Sequence, residues 1–176
     1  CGGGLLAEAL FSEGAKVSGV DISDVAIHTA KNHAKKGNVD INYILGEAEN
    51  LLPENSEEFD VVTCLEAIEH VPDPNQLVKT CSDLCKKNGD IFFSTINRNP
   101  KSFLFAIVGA EYILNLLPKG THEYQKFIKP SELIFMMENN GLKIQELTGM
   151  SYNPITKNYW LGKNVDVNYL IHAKKI

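Results

Sequence analysis

Cys1-Gly2-Gly3-Gly4, the helical pattern from Leu5 to Glu13, and Val17-Ser18-Gly19-Val20-Asp21 form the stretch that decides the fold. Glycines carry no Cβ, so the backbone can turn sharply and approach a ligand closely. Leu5, Leu6, Ala9 and Leu10 fall on one helical face, and Gly14 stops the helix. Lys16 to Asp21 then reads as a strand that ends on a carboxylate. Such a carboxylate can accept hydrogen bonds from both ribose hydroxyls of a nucleoside, in the crevice at the carboxyl ends of an open parallel sheet. A glycine turn of this kind follows a strand, and none precedes Cys1. The expectation is therefore a front-truncated piece of a longer protein, with the first strand of the sheet missing from this chain.

Outward from that stretch, strands and helices alternate. Ser23 or Asp24 caps a helix to about Lys36, closed by Gly37-Asn38. Ile41 to Leu45 is a strand. Phe59 to Leu65 is another, rich in β-branched residues and so expected to be buried on both faces. Pro74 to Lys86 is a helix, and Asn88-Gly89 turns into the strand Asp90 to Thr95. The alternation predicts an α/β fold, a parallel sheet with helices on both faces. A long insertion at about 98–128 interrupts it before the helix Pro130 to Asn139. Leu142 to Leu147 and Val167 to Ala173 read as closing strands, with a polar and aromatic hairpin-like segment between Gly149 and Asp166. There is no repeat or linker, so residues 1–176 read as a single domain.

The 176 residues suffice for one domain with a real core. A net charge of −5 excludes a nucleic-acid partner held by bulk positive charge. No apolar run is long enough to span a bilayer. Cys1, Cys64, Cys81 and Cys85 follow no zinc-binding spacing and read as reduced thiols in a reducing compartment.

Several residues can carry chemistry. Gly2 and Asp21 belong to the nucleoside crevice. Gly46-Glu47-Ala48-Glu49 and Leu65-Glu66 follow strands that end at the same crevice, so the Ala48 backbone and Leu65 can flank a purine; Glu47 and Glu49 read equally as surface charge. Glu66, Glu69 and His70 share one face of a helical turn at i, i+3 and i+4. Two carboxylates and an imidazole so placed can hold a hard divalent cation such as Mg²⁺. Alternatively Glu66 orients a cofactor, while Glu69 and His70 cap the turn before Pro72. Within the insertion, Ser102 to Pro118 is apolar except for Glu111 and is flanked by Lys101 and Lys119. It reads as a lid over the crevice, a pocket wall for a greasy substrate, or a helix lying in a membrane surface. His122 follows as a candidate base or a structural loop histidine.

Cys-Gly-Gly-Gly, Val-Asp-Ile-Ser, Phe-Asp-Val-Val-Thr-Cys-Leu-Glu and Glu-His-Val-Pro-Asp-Pro resemble the motifs of class I S-adenosylmethionine-dependent methyltransferases with a Rossmann-like sheet. Phe93-Ser-Thr-Ile-Asn-Arg, Ile107-Val-Gly-Ala-Glu-Tyr, Leu117-Pro-Lys-Gly-Thr-His, Tyr152-Asn-Pro and Val165-Asp-Val-Asn-Tyr are similar to the ubiquinone-biosynthesis O-methyltransferase family, across essentially the whole chain. The resemblance implies O-methylation of 2-polyprenyl-6-hydroxyphenol and 3-demethylubiquinol. It implies S-adenosylmethionine at Gly2, Asp21 and Leu65, a divalent metal at Glu66, Glu69 and His70, and lipid contact through the insertion. The expected partners are the polyprenylated phenol or quinol, membrane lipid, and a complex with other ubiquinone-biosynthesis enzymes. The expected location is cytoplasmic and peripheral to the inner membrane, or the matrix side in a mitochondrion. A competing expectation is an inactive remnant or a lipid-surface binding module.

Overall fold

A computed structural model describes residues 1–52, 55–102, 124–153, 156 and 158–176. These residues fall into two compact units, Cys1–Glu54 and Asn55–Ile176.

The smaller unit contains α1 (Leu5–Ser12), β1 (Ser18–Asp21), α2 (Asp24–Gly37) and β2 (Asn42–Leu45). β1 and β2 pair in parallel, from Ser18 opposite Asn42 to Asp21 opposite Leu45. A parallel pair needs a crossover, which α2 supplies. The Ser23 hydroxyl accepts from the Ala26 N–H at 3.3 Å, and Asn38 closes the helix in the left-handed region at φ 52°. Ala7, Ile27, Ala30, Ala34 and Tyr43 form the core, with Val17, Val39 and Ile41 against it. The apolar face expected of α1 is not the buried one. Leu5 and Leu6 stay exposed, and Ala7 alone of the helix is buried. Small side chains let the backbones come close, which leaves the leucines outside the contact.

The larger unit contains β3 (Phe59–Leu65), α3 (Pro74–Leu84), β4 (Cys85–Ile96), the single turn α4 (Pro100–Ser102), α5 (Pro130–Asn139), β5 (Leu142–Asn153), β6 (Asn158–Gly162) and β7 (Asn168–Lys175). The strand order is β3-β4-β7-β5-β6. β3 and β4 pair in parallel and β5 runs the same way; β7 lies antiparallel between β4 and β5, and β6 antiparallel to β5. The parallel arrangement expected from the alternation of strands and helices holds for β1–β2 and β3–β4, and β5, which follows α5, keeps the same direction as β4. The reversed strands β6 and β7 follow β5 with no described helix between them, and neighbouring antiparallel strands need no crossover. Tyr169, Ile171 and Ala173 of β7 are fully buried beside Ile91 and Phe93 of β4, with Leu133 and Met137 of α5 also buried. β3 is not buried on both faces. It is the edge strand, Val61 is half exposed, and only Cys64 is buried.

β4 begins at Cys85 rather than after the Asn88-Gly89 turn. That turn is an irregularity inside the strand, with Asn88 at φ 64° and the register slipping between Phe59 and Val61. Past β4, Ser102 is buried. Its N–H donates to Asn99 Oδ1 at 2.9 Å, and its hydroxyl bonds the Asn97 carbonyl. Asn99 and Lys101 both reach Asp166, each at 2.6 Å. Downstream, the Ile128 N–H donates to the Ile96 carbonyl at 3.2 Å. The lipophilic stretch from 103 to 118 and His122 lie outside the described residues. No described helix is long and apolar enough to cross a membrane.

The Tyr169 hydroxyl donates to the Ile128 carbonyl at 2.9 Å, both residues being buried. Burial pushes this phenol far above the usual tyrosine range. Tyr169→Phe removes the donor and strands a carbonyl, so we expect urea unfolding to show a loss of about 1–2 kcal/mol. An unchanged midpoint would mean that water replaces the bond.

Candidate active site

The opening turn is built by local constraint. Gly4 caps α1 at φ 89°, where an added Cβ would lie 2.4 Å from the Tyr43 hydroxyl and 3.1 Å from Ala30. Gly2 also has positive φ, 54°, but a Cβ there would meet nothing within 4 Å. One glycine is therefore packed against the core, and the other faces open space where a ligand can approach the backbone.

Asp21 closes the turn. Its Oδ2 accepts from the Gly2 N–H at 2.8 Å and from the Cys1 nitrogen at 2.9 Å, and its Oδ1 accepts from the Ser23 N–H at 2.9 Å. Its backbone carbonyl takes the Gly46 N–H at 3.0 Å. Burial alone would raise this carboxyl. Hydrogen bonds from the Ser23 and Gly2 N–H groups act against it, and the group lies below its ordinary 3.8. Ala48 opens a short 3₁₀ turn, Ala48–Leu51, just beyond Gly46. The Glu47 N–H is fixed by Asn50 Oδ1 at 2.8 Å, a brace that sequence analysis does not single out. Within the smaller unit, Gly2, Asp21 and the loop carrying Ala48 thus gather at the carboxyl ends of β1 and β2.

The larger unit places Leu65 at the end of β3, partly exposed. Glu66 follows in the left-handed region at φ 49°, which costs a residue with a side chain about 1–3 kcal/mol. Ser94 compensates on both sides. It takes the Glu66 N–H on its carbonyl at 3.0 Å and on its hydroxyl at 3.1 Å, and that hydroxyl donates to Glu66 Oε1 at 2.7 Å. Glu69 is buried, and its Oε2 accepts from the Thr95 hydroxyl at 2.8 Å. His70 is half exposed, with Nε2 3.9 Å from Glu69 Oε1.

These three residues do not form the expected cation cluster. The i, i+3, i+4 spacing presumes an α-helical turn. Here Glu66 is left-handed, Ala67 lies at φ −130°, and only Ile68–His70 is helical, as a 3₁₀ turn. Ser94 and Thr95 are successive strand residues that point to opposite faces, so each draws its glutamate a different way. Among the described residues no three His, Cys, Asp or Glu side chains are arranged to hold a metal ion. The two hydroxyl partners lie 28 and 26 residues away in sequence, and no local signal announces them.

A cavity of about 500 Å³ adjoins Glu69, bounded among others by Pro72, Arg98, Phe127, Glu132 and Met136. Arg98 is ion-paired with Glu132 of α5. Sequence reading misses this cavity, because its walls come from three separate segments.

Residues 1–93 match the family model described as a methyltransferase domain. Among solved structures, a SAM-dependent methyltransferase from Methanosarcina mazei superposes with a TM-score of 0.72 at 21% identity, covering 100% of this chain and 89% of that one. Magnesium protoporphyrin IX methyltransferase from Synechocystis, solved with bound SAM, gives 0.66 at 18%, covering 100% and 67%. The fold is that of the class I methyltransferases. The ubiquinone biosynthesis O-methyltransferase of Saccharophagus degradans is 56% identical over 177 residues, covering 100% of this chain and 75% of that protein. That of Marinobacter nauticus is 55% identical over 176 residues, covering 99% and 74%. The chain belongs to the ubiquinone biosynthesis O-methyltransferase family.

Two variants test the turn. Gly4→Ala meets both the positive φ and Tyr43, and we expect a loss of about 2–5 kcal/mol in urea unfolding. Asp21→Asn tests the carboxylate. A carboxyl held below 3.8 stabilises the fold above that pH, and the contribution disappears as pH falls through the lower folded value. The Asp21→Asn variant should therefore be less stable at neutral pH, and the two proteins should converge on acidification. A gap that persists at the lowest pH would mean that the charge is not what holds the turn.

Proposed function

We propose that this chain methylates a phenolic oxygen of polyprenylated catechol and quinol intermediates, 2-polyprenyl-6-hydroxyphenol and 3-demethylubiquinol, with S-adenosylmethionine as donor. The observation that carries the reading is the identity above one half, over the whole chain, with proteins named for that activity. S-adenosylmethionine-dependent O-methylation in ubiquinone biosynthesis follows from it, and a lipid-surface module without cofactor is not favoured.

The residues fit the cofactor. Gly2 leaves the backbone open to a ligand, and Asp21 presents a carboxylate oriented by the Gly2 and Ser23 N–H groups. Asp21 would take the ribose hydroxyls, while Gly2 and the Ala48 backbone would take the remainder of the nucleoside held by the smaller unit. When bound, S-adenosylmethionine supplies an electrophilic methyl: the phenolic oxygen forms the new C–O bond as the C–S bond breaks, leaving a neutral thioether. Asp21 binds with its charge already in place, so ligand binding costs no protonation change there. The cavity beside Glu69 is of the size that ring-bearing ligands fill and takes the substrate ring in this reading. His122 is proposed as the group that accepts the phenol proton. The residues as arranged do not fit the expected divalent cation, so no step is routed through one. Peripheral contact with membrane lipid at the inner membrane, and association with other enzymes of the same biosynthesis, are part of the proposal.

The test is calorimetry with S-adenosylhomocysteine, followed by methyl transfer to a short-chain prenylated catechol. We expect binding, turnover, and a rise of at least about tenfold in the S-adenosylmethionine KM for Asp21→Ala, the loss of charge-assisted hydrogen bonds. A folded chain that releases no heat with S-adenosylhomocysteine would refute the reading. Turnover after EDTA, with and without returned Mg²⁺, reports whether the reaction draws on a cation.

A further inference from the structure

The β5–β6 hairpin is the most apolar exposed element of the described chain. Tyr152 is 39% exposed, Tyr159 67%, Trp160 52% and Leu161 64%. Alternation along a strand sends Tyr159 and Leu161 to one face of β6 and Trp160 to the other. Tyr152 stacks on Tyr159 across the hairpin, with ring centroids 4.4 Å apart. The register explains the exposure. β5 pairs with β6 from Gly149 to Asn153, but its pairing with β7 ends at Met150 opposite Asn168. Ser151–Asn153 and their partners on β6 therefore overhang the sheet, with no third strand paired to them among the described residues.

The overhang has a definite direction. Asn168 pairs with Ile96, the last residue of β4, and Leu65, the last of β3, pairs with Ser94. The hairpin thus projects from the carboxyl ends of the parallel strands, the end that carries Glu66, Glu69 and Arg98.

We propose that this hairpin is a membrane-interface anchor that dips into the headgroup region of an anionic bilayer. A protein partner of ordinary flatness covers one face of a strand, whereas a fluid phase wets both, and both faces here are apolar. Tyr and Trp settle where hydrocarbon meets water, because each has an apolar body and one polar group. Charge agrees as well. Between Gly149 and Val165 the sequence has two lysines and no carboxylate, in a chain of net charge −5; Lys163 is exposed just past Gly162, at the base of the hairpin where β5 is still paired with β7. The inference deepens the proposed function and rests on it. An anchor at this end holds the site against the phase in which a polyprenylated substrate is dissolved. It is distinct from lipid contact through the insertion.

Trp160 is the chain's single tryptophan, so its fluorescence reports on the hairpin alone. The experiment mixes the full chain with phosphatidylethanolamine–phosphatidylglycerol vesicles, with and without brominated acyl chains, and scores flotation and Trp160 emission together. The expected result is flotation, a blue shift and quenching by the brominated lipid. Leu161→Ser and Tyr159→Ser should each weaken vesicle partition by roughly tenfold, with turnover on a water-soluble short-chain catechol unchanged. Flotation without quenching overturns the proposal but leaves membrane contact through another element. Absence of flotation overturns both. A blue shift that grows with protein concentration in the absence of lipid, without quenching in its presence, overturns it in favour of a contact between copies of the chain.

Discussion

The larger unit depends on one ladder. β7 is bonded along its length to β4 on one side and β5 on the other, and its inward residues Tyr169, Ile171 and Ala173 are fully buried. Through β4 it positions Ser94 and Thr95, and those two hydroxyls orient the glutamates that follow β3. Through Tyr169 it fixes Ile128, which is also tied to Ile96. The loops at the carboxyl end of the sheet are held by hydroxyls and backbone groups of strands whose own places are set by β7.

The smaller unit works by a different constraint. Asp21 commits its carboxylate to nitrogens of its own chain, so the group is charged and oriented before any ligand arrives. Gly4 serves packing and Gly2 openness, which divides the two demands that a glycine turn must meet. The outcome is a rigid anion beside an accessible backbone, a combination suited to a ribose whose hydroxyls need acceptors in fixed positions.

What the sequence disclosed was what short-range chemistry determines. The glycine turn, the Ser23 cap, the left-handed close at Asn38 and the helix opening at Pro130 are each set within a few residues, and each lies where its pattern puts it. The pairing of Gly2 with Asp21 follows from the same turn. Three readings failed for nonlocal reasons. The spacing of Glu66, Glu69 and His70 suggested a helical face, but Ser94 pulls Glu66 into a left-handed conformation from 28 residues away. β-Branched composition suggested that β3 is buried on both faces, but of its residues only Cys64 is buried, because what covers a strand's faces comes from distant segments. The helical stripe of α1 suggested buried leucines, but close packing selected Ala7. The antiparallel placement of β7 between β4 and β5 was equally hidden, since pairing partners leave no mark on hydrophobic periodicity.

The anchors on either side of the stretch between Ser102 and Tyr124 have a consequence for how such a chain can diversify. Ser102 is pinned through Asn97 and Asn99, and Ile128 through Ile96 and Tyr169, so both attachment points belong to the sheet rather than to what lies between them. A change of sequence between those two attachment points leaves these bonds in place, so the strands on either side keep their register whatever is carried between them.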